Sequence, residues 1–436
     1  MTKTGYKVGI YTLGCKVNQY ESEAIAECFE AEGFVLAPPS SSCDVYVINT
    51  CTVTAESDRK ARQFIRRAIH KNPNAYILVT GCLAQADPSQ ISSIEGVDFL
   101  CGNHQKLAVV SAAKELIRAG KKNPQPVLLH DAPDANGFEQ MQISRFDRTR
   151  AYVKIEDGCE SKCAYCIIPA ARGSIRSKPL DEVVEEVRIL SENGCREVVL
   201  TGIETASYGK DLKDGDLATL LQRVDTIKGI GRVRLGSLDP SLIKQSFVDA
   251  IAPLNSLAPH FHLSMQSGSD RILALMRRKY NTQMALDGMA RLRKAMPQVQ
   301  FTTDMIVGFP GETEEDFERS LAFVKQAGFL MVHVFPYSKR KGTVAATMPD
   351  QVSQEIKHRR VALLSEAAAQ VRRELLERMV GRTEEVLFET YKNGIAYGHT
   401  ASFVEVACPS PCSLQGRVLP VRLESASEES CTGMIV

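Results

Sequence analysis

Short apolar runs, each followed by a helix-length amphipathic stretch, recur from Val8 to Phe335. Strand and helix alternating in this way build parallel sheets with helices on their faces. The first runs are Val8 to Leu13, Val45 to Ile48 and Tyr76 to Val79, separated by the amphipathic stretches Glu21 to Glu32 and Ser57 to Lys71. A longer series follows: Ala151 to Ile155, Glu197 to Leu200, Val233 to Leu235, Phe261 to Ser264, Thr302 to Val307 and Met331 to Phe335. Helical patterns separate these, among them Glu182 to Ser191, Leu242 to Ile251, Met284 to Ala295 and Glu314 to Ala327, the last opened by a capping-box sequence at Thr313 to Asp316. Six βα units without reversal predict a barrel or partial barrel. The Pro- and Gly-rich stretch 120–145 predicts a linker. After Gly381 the pattern changes to short strand-like runs, Glu385 to Thr390, Ile395 to His399, Phe403 to Val406 and Arg417 to Arg422, which predict a small β-barrel. The expected class is α/β: an open parallel domain over 1–140, a partial (βα)6 barrel over 146–375 and a small β-barrel over 376–436.

Composition bounds the function. Net charge is +1 over 436 residues, so no global basic field marks a nucleic-acid binder and any such contact must be local. The 13 cysteines are an odd number in a long chain, and the chain runs directly into Lys7-Val8-Gly9-Ile10-Tyr11 with no leader pattern. These features predict a reducing, cytoplasmic setting with metal or catalytic use of thiols. No apolar run reaches 18 residues, so no membrane partner is expected.

Cys159, Cys163 and Cys166 are spaced C-x3-C-x2-C, and no Cys or His follows in the next ten residues. Three thiolates this close suit a [4Fe–4S] cluster with one iron left open to a ligand. A zinc knuckle or a buried cysteine cluster is the alternative. Cys15, Cys51 and Cys82 each stand just past a predicted strand end, where open α/β sheets bind ligands, and would form a second three-thiolate site. Gly14 and Gly81 beside them admit close backbone approach. Three unrelated buried cysteines remain the alternative, with Cys101, after Val97 to Leu100, a competitor by position. Cys28, Cys43, Cys408 and Cys412 read as structural.

The polar run Asn18 to Ser22 opens the first helix near the same edge, and capping explains it equally well. Arg59, Arg62 and Arg66 share a helix face, either a solvated surface or a phosphate-binding stripe. Residues 354–379 carry Lys357, Arg359, Arg360, Arg372 and Arg373. With Tyr391, Tyr397 and His399 of the end barrel they suggest a nucleic-acid surface; a docking or dimerisation barrel is the other reading. Motif-like loops follow each central strand: Thr201 to Gly209, Ser237 to Pro240, Met265 to Ser269, Gly308 to Glu312 and Pro336 to Ser338.

The cysteine spacing, with Tyr165 before the last Cys, resembles the signature of radical S-adenosylmethionine (SAM) enzymes. His262 to Asp270, Met276 to Tyr280, Asp304 to Thr313, Ile167-Ile168-Pro169 and Arg172-Gly173 also look like family motifs. The first segment resembles the cluster-binding domain of methylthiotransferases, and the last resembles TRAM, an RNA-binding module. Thr12 to Ser22, Val386 to Glu389 and Gly398-His399-Thr400 look most like the subgroup acting on threonylcarbamoyladenosine in tRNA. The loop at Glu204-Thr205-Ala206 departs from the family's usual wording.

The resemblance implies two [4Fe–4S] clusters, one on Cys159, Cys163 and Cys166 that cleaves SAM to a radical, and an auxiliary one on Cys15, Cys51 and Cys82 that presents sulfur. It implies SAM contacts from Tyr165, Gly202, Glu204, Ser237, Gln266, Ser267, Arg278, Asp304, Val307 and Pro336. The implied product carries a methylthio group at C2 of the adenine. The implied partners are the tRNA anticodon stem-loop and an external electron donor, with the protein a monomer. Alternatives are the same chemistry on isopentenyladenosine or on an Asp of a ribosomal protein, or a non-catalytic iron–sulfur RNA-binding protein.

Overall fold

The computed structural model describes residues 5–122, 125–129, 137–146 and 148–436. The first region is a six-stranded parallel sheet of β1 (Lys7–Thr12), β2 (Val35–Leu36), β3 (Val45–Thr50), β4 (Tyr76–Gly81), β5 (Phe99–Cys101) and β6 (Val127–Leu129), ordered β2-β1-β3-β4-β5-β6. β3 is buried at every position, as its unbroken apolar run requires. Register places Thr12 beside Asn49 and Thr50 beside Gly81, so β1, β3 and β4 end side by side.

Two strands were not legible. β2 has only two residues, and β6 lies in the segment expected to be a linker. Val127 and Leu128 are exposed, so pairing with β5 rather than an apolar pattern makes them a strand. Residues 123–124 and 130–136 of that segment lie outside the described residues. The first helix also starts earlier than expected, at Lys16, because Asn18, Glu21 and Ser22 are buried polar residues that mask the helical period.

The central region runs β7 (Ala151–Lys154), β8 (Glu156–Asp157), β9 (Arg176–Ser177), β10 (Glu197–Thr201), β11 (Arg232–Leu235), β12 (Ser237–Leu238), β13 (His260–Gln266), β14 (Gln300–Val307) and β15 (Met331–Pro336). Two parallel sheets, β11-β10-β7 and β12-β13-β14-β15, are linked through the short step from β11 to β12 and a bridge between Val233 and Leu257. Together they form the wall of a partial barrel. Val198, Leu200, Phe261, Leu263 and Phe301 pack against Val187, Leu220, Met289 and Val324 of the covering helices. Thr313 and Asp316 form the expected capping box: Asp316 N donates to Thr313 Oγ1 at 3.2 Å and Thr313 N to Asp316 Oδ2 at 3.0 Å. The antiparallel pair β8–β9 brackets the cysteine loop.

The helix Gln354–Glu377 leads into a closed barrel of β16 (Thr383–Lys392), β17 (Ile395–Thr400), β18 (Glu405–Pro409), β19 (Val418–Ala426) and β20 (Cys431–Ile435). β20 was missed because Gly433 interrupts its short alternation. Phe403, expected to begin a strand, sits instead in the turn before β18 with φ +73°, a conformation rare for a side-chain-bearing residue.

That turn closes the N-terminal end of the partial barrel. The Phe403 ring stacks on His260 at 4.6 Å and on His399 at 4.8 Å, with the Arg234 guanidinium 5.0 Å from its centroid. Glu197 is shared by Arg234 at 3.0 Å, Arg150 at 3.3 Å and Arg232 at 3.7 Å. Arg232 and Arg234 also donate to the carbonyls of His399 (3.2 Å) and Ala401 (3.1 Å). Burial would raise the Glu197 carboxyl; the guanidiniums overcome it and hold the group at about 2. His399, expected at an RNA surface, is therefore committed to the floor and to Glu389 at 2.7 Å. The basic residues of the long helix are likewise committed. Lys357 donates to the Tyr337 carbonyl (3.1 Å), Arg360 to Glu312 (2.6 Å) and Arg359 to Glu314 (2.7 Å), while Arg372 and Arg373 reach the Glu429 carbonyl and Glu428.

Candidate active site

Because β1, β3 and β4 are neighbours, the residues just beyond their ends meet at one edge. Cys15 stands at the N-cap of the helix Lys16–Ala31, Cys51 follows β3, and Cys82 opens the short helix after β4. Gly14 has φ +101°, and a Cβ there would lie 2.7 Å from Cys51 Cβ, so only glycine lets the two strand ends approach this closely. Burial pushes the Cys51 thiol up to about 12, with Cys82 and then Cys15 adding to the rise.

The polar run after Cys15 is a buried network rather than a solvent cap. Arg172, fully buried, donates from Nε to Cys82 Sγ at 3.4 Å, from Nη1 to Glu21 at 2.7 Å and Asp157 at 3.1 Å, and from Nη2 to Asn18 at 2.6 Å. Lys154 bridges Glu21 (2.9 Å) and Asp157 (2.6 Å), and Lys106 closes on Glu21 from the other side. Burial alone would raise the Glu21 carboxyl; Arg172, Lys106 and Lys154 hold it well below the usual carboxylate range. Asp157 is held low in the same way, by Arg172 and Lys154. Asp157 stands two residues before Cys159, so one guanidinium ties the strand-end trio to the start of the cysteine loop.

In that loop, Cys159 N donates to the Gly173 carbonyl at 3.0 Å, Cys166 N to Cys163 at 3.1 Å and Ala164 N to Met276 at 3.0 Å. Arg278 donates from Nη1 to Cys163 Sγ at 2.9 Å while holding Asp239 at 2.9 Å and Tyr280 at 3.0 Å. Cys159 Sγ donates to Glu204 at 3.1 Å, and burial followed by Glu204 pushes that thiol far up. Burial raises Cys166 to about 11.

Among the described residues no three Cys, His, Asp or Glu side chains converge tightly enough for a single metal ion. A four-iron cube spreads three thiolates over separate corners, and two all-cysteine trios are the donor set such a cube takes. Cys101 stays apart, in the apolar cluster with Val109 and Phe99, its thiol pushed to about 12 by burial. The residues present therefore fit a cluster at each trio.

A cavity of about 290 Å³ opens beside the loop. Tyr165, Cys166, Gln266, Asp304 and Pro336 line it, and Val53 and Thr54, just past Cys51, face it from the first region. Gln266 sits at φ +67° where the β13–β14 register shifts, a strained backbone that presents its side chain to the cavity. A second cavity of about 510 Å³ is the barrel lumen and reaches Cys15, Gly202 and Ser237. Glu204 and Arg278 lie against cysteines. Ser267 and Val307 line neither cavity. Ser267 Oγ accepts from Ser269 N at 3.2 Å, and Val307 is buried beside Pro336.

Residues 153–324 match the model of the Radical SAM superfamily, and residues 7–102 match Uncharacterized protein family UPF0004. A threonylcarbamoyladenosine tRNA methylthiotransferase of Bacillus subtilis is 39% identical over 98% of this chain and 96% of its own length. The chain belongs to the radical SAM tRNA methylthiotransferase family. A tRNA-2-methylthio-N(6)-dimethylallyladenosine synthase of Pelotomaculum thermopropionicum is 35% identical over 98% of this chain and 97% of its own length. The fold is shared with a radical SAM methyltransferase of Kitasatospora setae, at a TM-score of 0.55 and 14% identity over 79% of this chain and 77% of that one. As a methylthiotransferase the protein works with SAM and two [4Fe–4S] clusters.

Three residues of this methylthiotransferase site had no reading of their own in the sequence, Lys16, Glu156 and Arg234, and Arg172 stood there only as part of a family motif without a role. Glu156 is fully buried; its Oε2 accepts from Glu204 N at 2.8 Å and Oε1 has no partner. Burial raises its carboxyl well above the usual range, and its bond to Glu204 N pins the Gly202–Glu204 loop. The one available signal was Arg172, which follows the cysteine loop by six residues beside Gly173. Arg59 and Arg62, read as a solvated face or a phosphate stripe, are engaged with Glu56 (2.6 Å) and Gln90 (2.6 Å).

Proposed function

We propose that the protein replaces the C2 hydrogen of N6-threonylcarbamoyladenosine, next to the anticodon of a tRNA, by a methylthio group. The observation that carries this reading is the meeting of two cysteine trios at one barrel mouth, tied together through Arg172, in a chain matched end to end by the Bacillus subtilis enzyme. In this reading Cys159, Cys163 and Cys166 hold the SAM-binding cluster and Cys15, Cys51 and Cys82 the auxiliary one. When bound, SAM and the clusters supply the radical, the methyl group and the sulfur, which no side chain here provides.

The chain's own part is to hold, orient and exclude water. Arg278 donates to Cys163 and Arg172 to Cys82, contacts that favour their thiolates. Tyr165, Gln266, Asp304 and Pro336 shape the cavity for SAM, with Ser267 and Val307 behind it, while Gly202 and Ser237 line the adjoining lumen. The Phe403 floor keeps the lumen closed at its far end. The exposed strands of the end barrel contact the tRNA stem-loop, with Tyr391 on the open surface. An external donor supplies electrons, and the protein acts as a monomer in the cytoplasm; among the described residues no helix is long and apolar enough to cross a membrane.

Dimethylallyladenosine is the second substrate reading, favoured by the Pelotomaculum relative. The test is anaerobic: reconstituted protein, SAM, reductant and tRNA bearing either nucleoside, then nucleoside mass spectrometry. A mass gain of one methylthio group on threonylcarbamoyladenosine supports the proposal. Gain on the dimethylallyl nucleoside alone overturns the substrate, and 5′-deoxyadenosine without either product overturns methylthiolation of both.

A further inference from the structure

The barrel lumen is lined by cationic groups whose hydrogen-bonding capacity the fold leaves partly unused. It runs from Cys15 and Ser237 at the mouth to His260 and Phe403 at the floor, about 510 Å³ in volume. Lys16, the first residue of its helix, lines the lumen, and its ammonium has no hydrogen-bond or ion-pair partner among the described residues. The first turn of that helix carries no acidic residue, so its positive end also faces the lumen, beside the N-cap Cys15. Asp304, the nearby carboxylate, is turned to His262 at 3.2 Å. Below, Arg234 lines the same space with a side chain only 2% exposed; Nε and Nη1 are engaged, and Nη2 has no partner. His260 shares a hydrogen bond between Nε2 and Thr302 at 3.0 Å and leaves Nδ1 unpartnered.

A buried guanidinium N–H and a buried imidazole nitrogen left without partners are costly unless a ligand completes them. A ligand that enters from the mouth, where Cys15 stands, with a negative charge and a hydroxyl would complete both. We propose that Lys16 and Arg234 form a carboxylate-binding site in the lumen, which receives the threonyl carboxylate of the substrate while His260 meets its hydroxyl. This rests on the threonylcarbamoyladenosine reading and deepens it. With the adenine at the mouth, the N6 arm extends down the lumen. An apolar dimethylallyl arm placed there would leave Arg234 and His260 unpaired, so the site discriminates between the two nucleosides.

The test uses the full chain and two anticodon stem-loop RNAs, one with threonylcarbamoyladenosine and one with its carboxamide in place of the carboxylate. Affinity is measured anaerobically by fluorescence anisotropy, with iron content determined on each sample. The wild-type protein should bind the carboxylate RNA roughly ten- to a hundredfold more tightly, the range of a charge-assisted contact. Lys16→Met should bring that ratio close to one. Equal binding of the two RNAs by the wild type overturns the site, and this arm needs no variant to fold. A ratio unchanged in iron-replete Lys16→Met also overturns it. If equal binding accompanies methylthiolation of the threonylcarbamoyl RNA, the site falls and the function stands; if only dimethylallyl RNA is modified, the function falls.

Discussion

Cys159, Cys163 and Cys166 span eight residues of one loop, whereas Cys15, Cys51 and Cys82 are drawn from 68 residues of sheet. The loop trio is set by backbone hydrogen bonds within 159–173 and one from Ala164 to Met276, with half-buried side chains. The strand-end trio exists only when β1, β3 and β4 are paired in register, and it leans on a fully buried guanidinium. A short loop gathers ligands at little entropic cost, since closing so few residues is easy. A sheet edge places them rigidly but makes the site depend on the whole domain. Arg172 joins the two, touching Cys82 on one side and Asp157 on the other, so the second trio cannot loosen without disturbing the approach to the first.

The largest effect that would sharpen this contrast comes from emptying each trio in turn. Cys15→Ala, Cys51→Ala and Cys82→Ala together should halve iron from about eight per chain, abolish methylthio transfer and retain 5′-deoxyadenosine formation. The triple alanine change at Cys159, Cys163 and Cys166 should also halve iron but abolish both products. Full iron in the first variant would break the comparison outright.

Next in size is the buried network. Arg172→Met strands Glu21 and Asp157 without a major partner and should cost about 3–5 kcal/mol in urea unfolding of the metal-free protein. Arg278→Met, at the looser site, should cost about 1–3 kcal/mol. Equal losses would mean that both sites depend on their arginines alike.

The floor gives an intermediate effect. Glu197 has its carboxyl lowered from 4.5 to about 2. Its stabilisation, roughly 3 kcal/mol by linkage, is complete above the unfolded value and disappears as pH falls from 4.5 through about 2. Glu197→Gln should flatten stability over that window relative to wild type, measured by thermal unfolding between pH 6 and pH 3. An unchanged slope would remove the floor from the list of charge-locked contacts. Smallest is Thr313→Ala, away from both trios, which should cost about 1 kcal/mol and leave iron content alone.

The parts of this molecule set by period and spacing were readable in advance. Apolar runs located the sheets, and cysteines just past strand ends marked an edge before any strand pairing was known. What stayed hidden depends on tertiary neighbours. Lys106 and Lys154 look like surface charges in sequence, because burial of ions is visible only once their partners are in place. β6 and β20 are strands through pairing rather than pattern. His399 and Arg360 looked available for RNA until the fold assigned them to Glu389 and Glu312. Lys16 was passed over because its neighbour Cys15 explained the motif without it.

Phe403 has a consequence for how the protein is made. On the ribosome the barrel strands emerge before the turn that stoppers them. Until that turn docks, the lumen is a tube without its Phe403 floor. Docking of the last-made region turns that tube into a cup. The order of translation thus leaves a period in which the future reaction chamber is accessible from below, and ends it only when the final strands have folded.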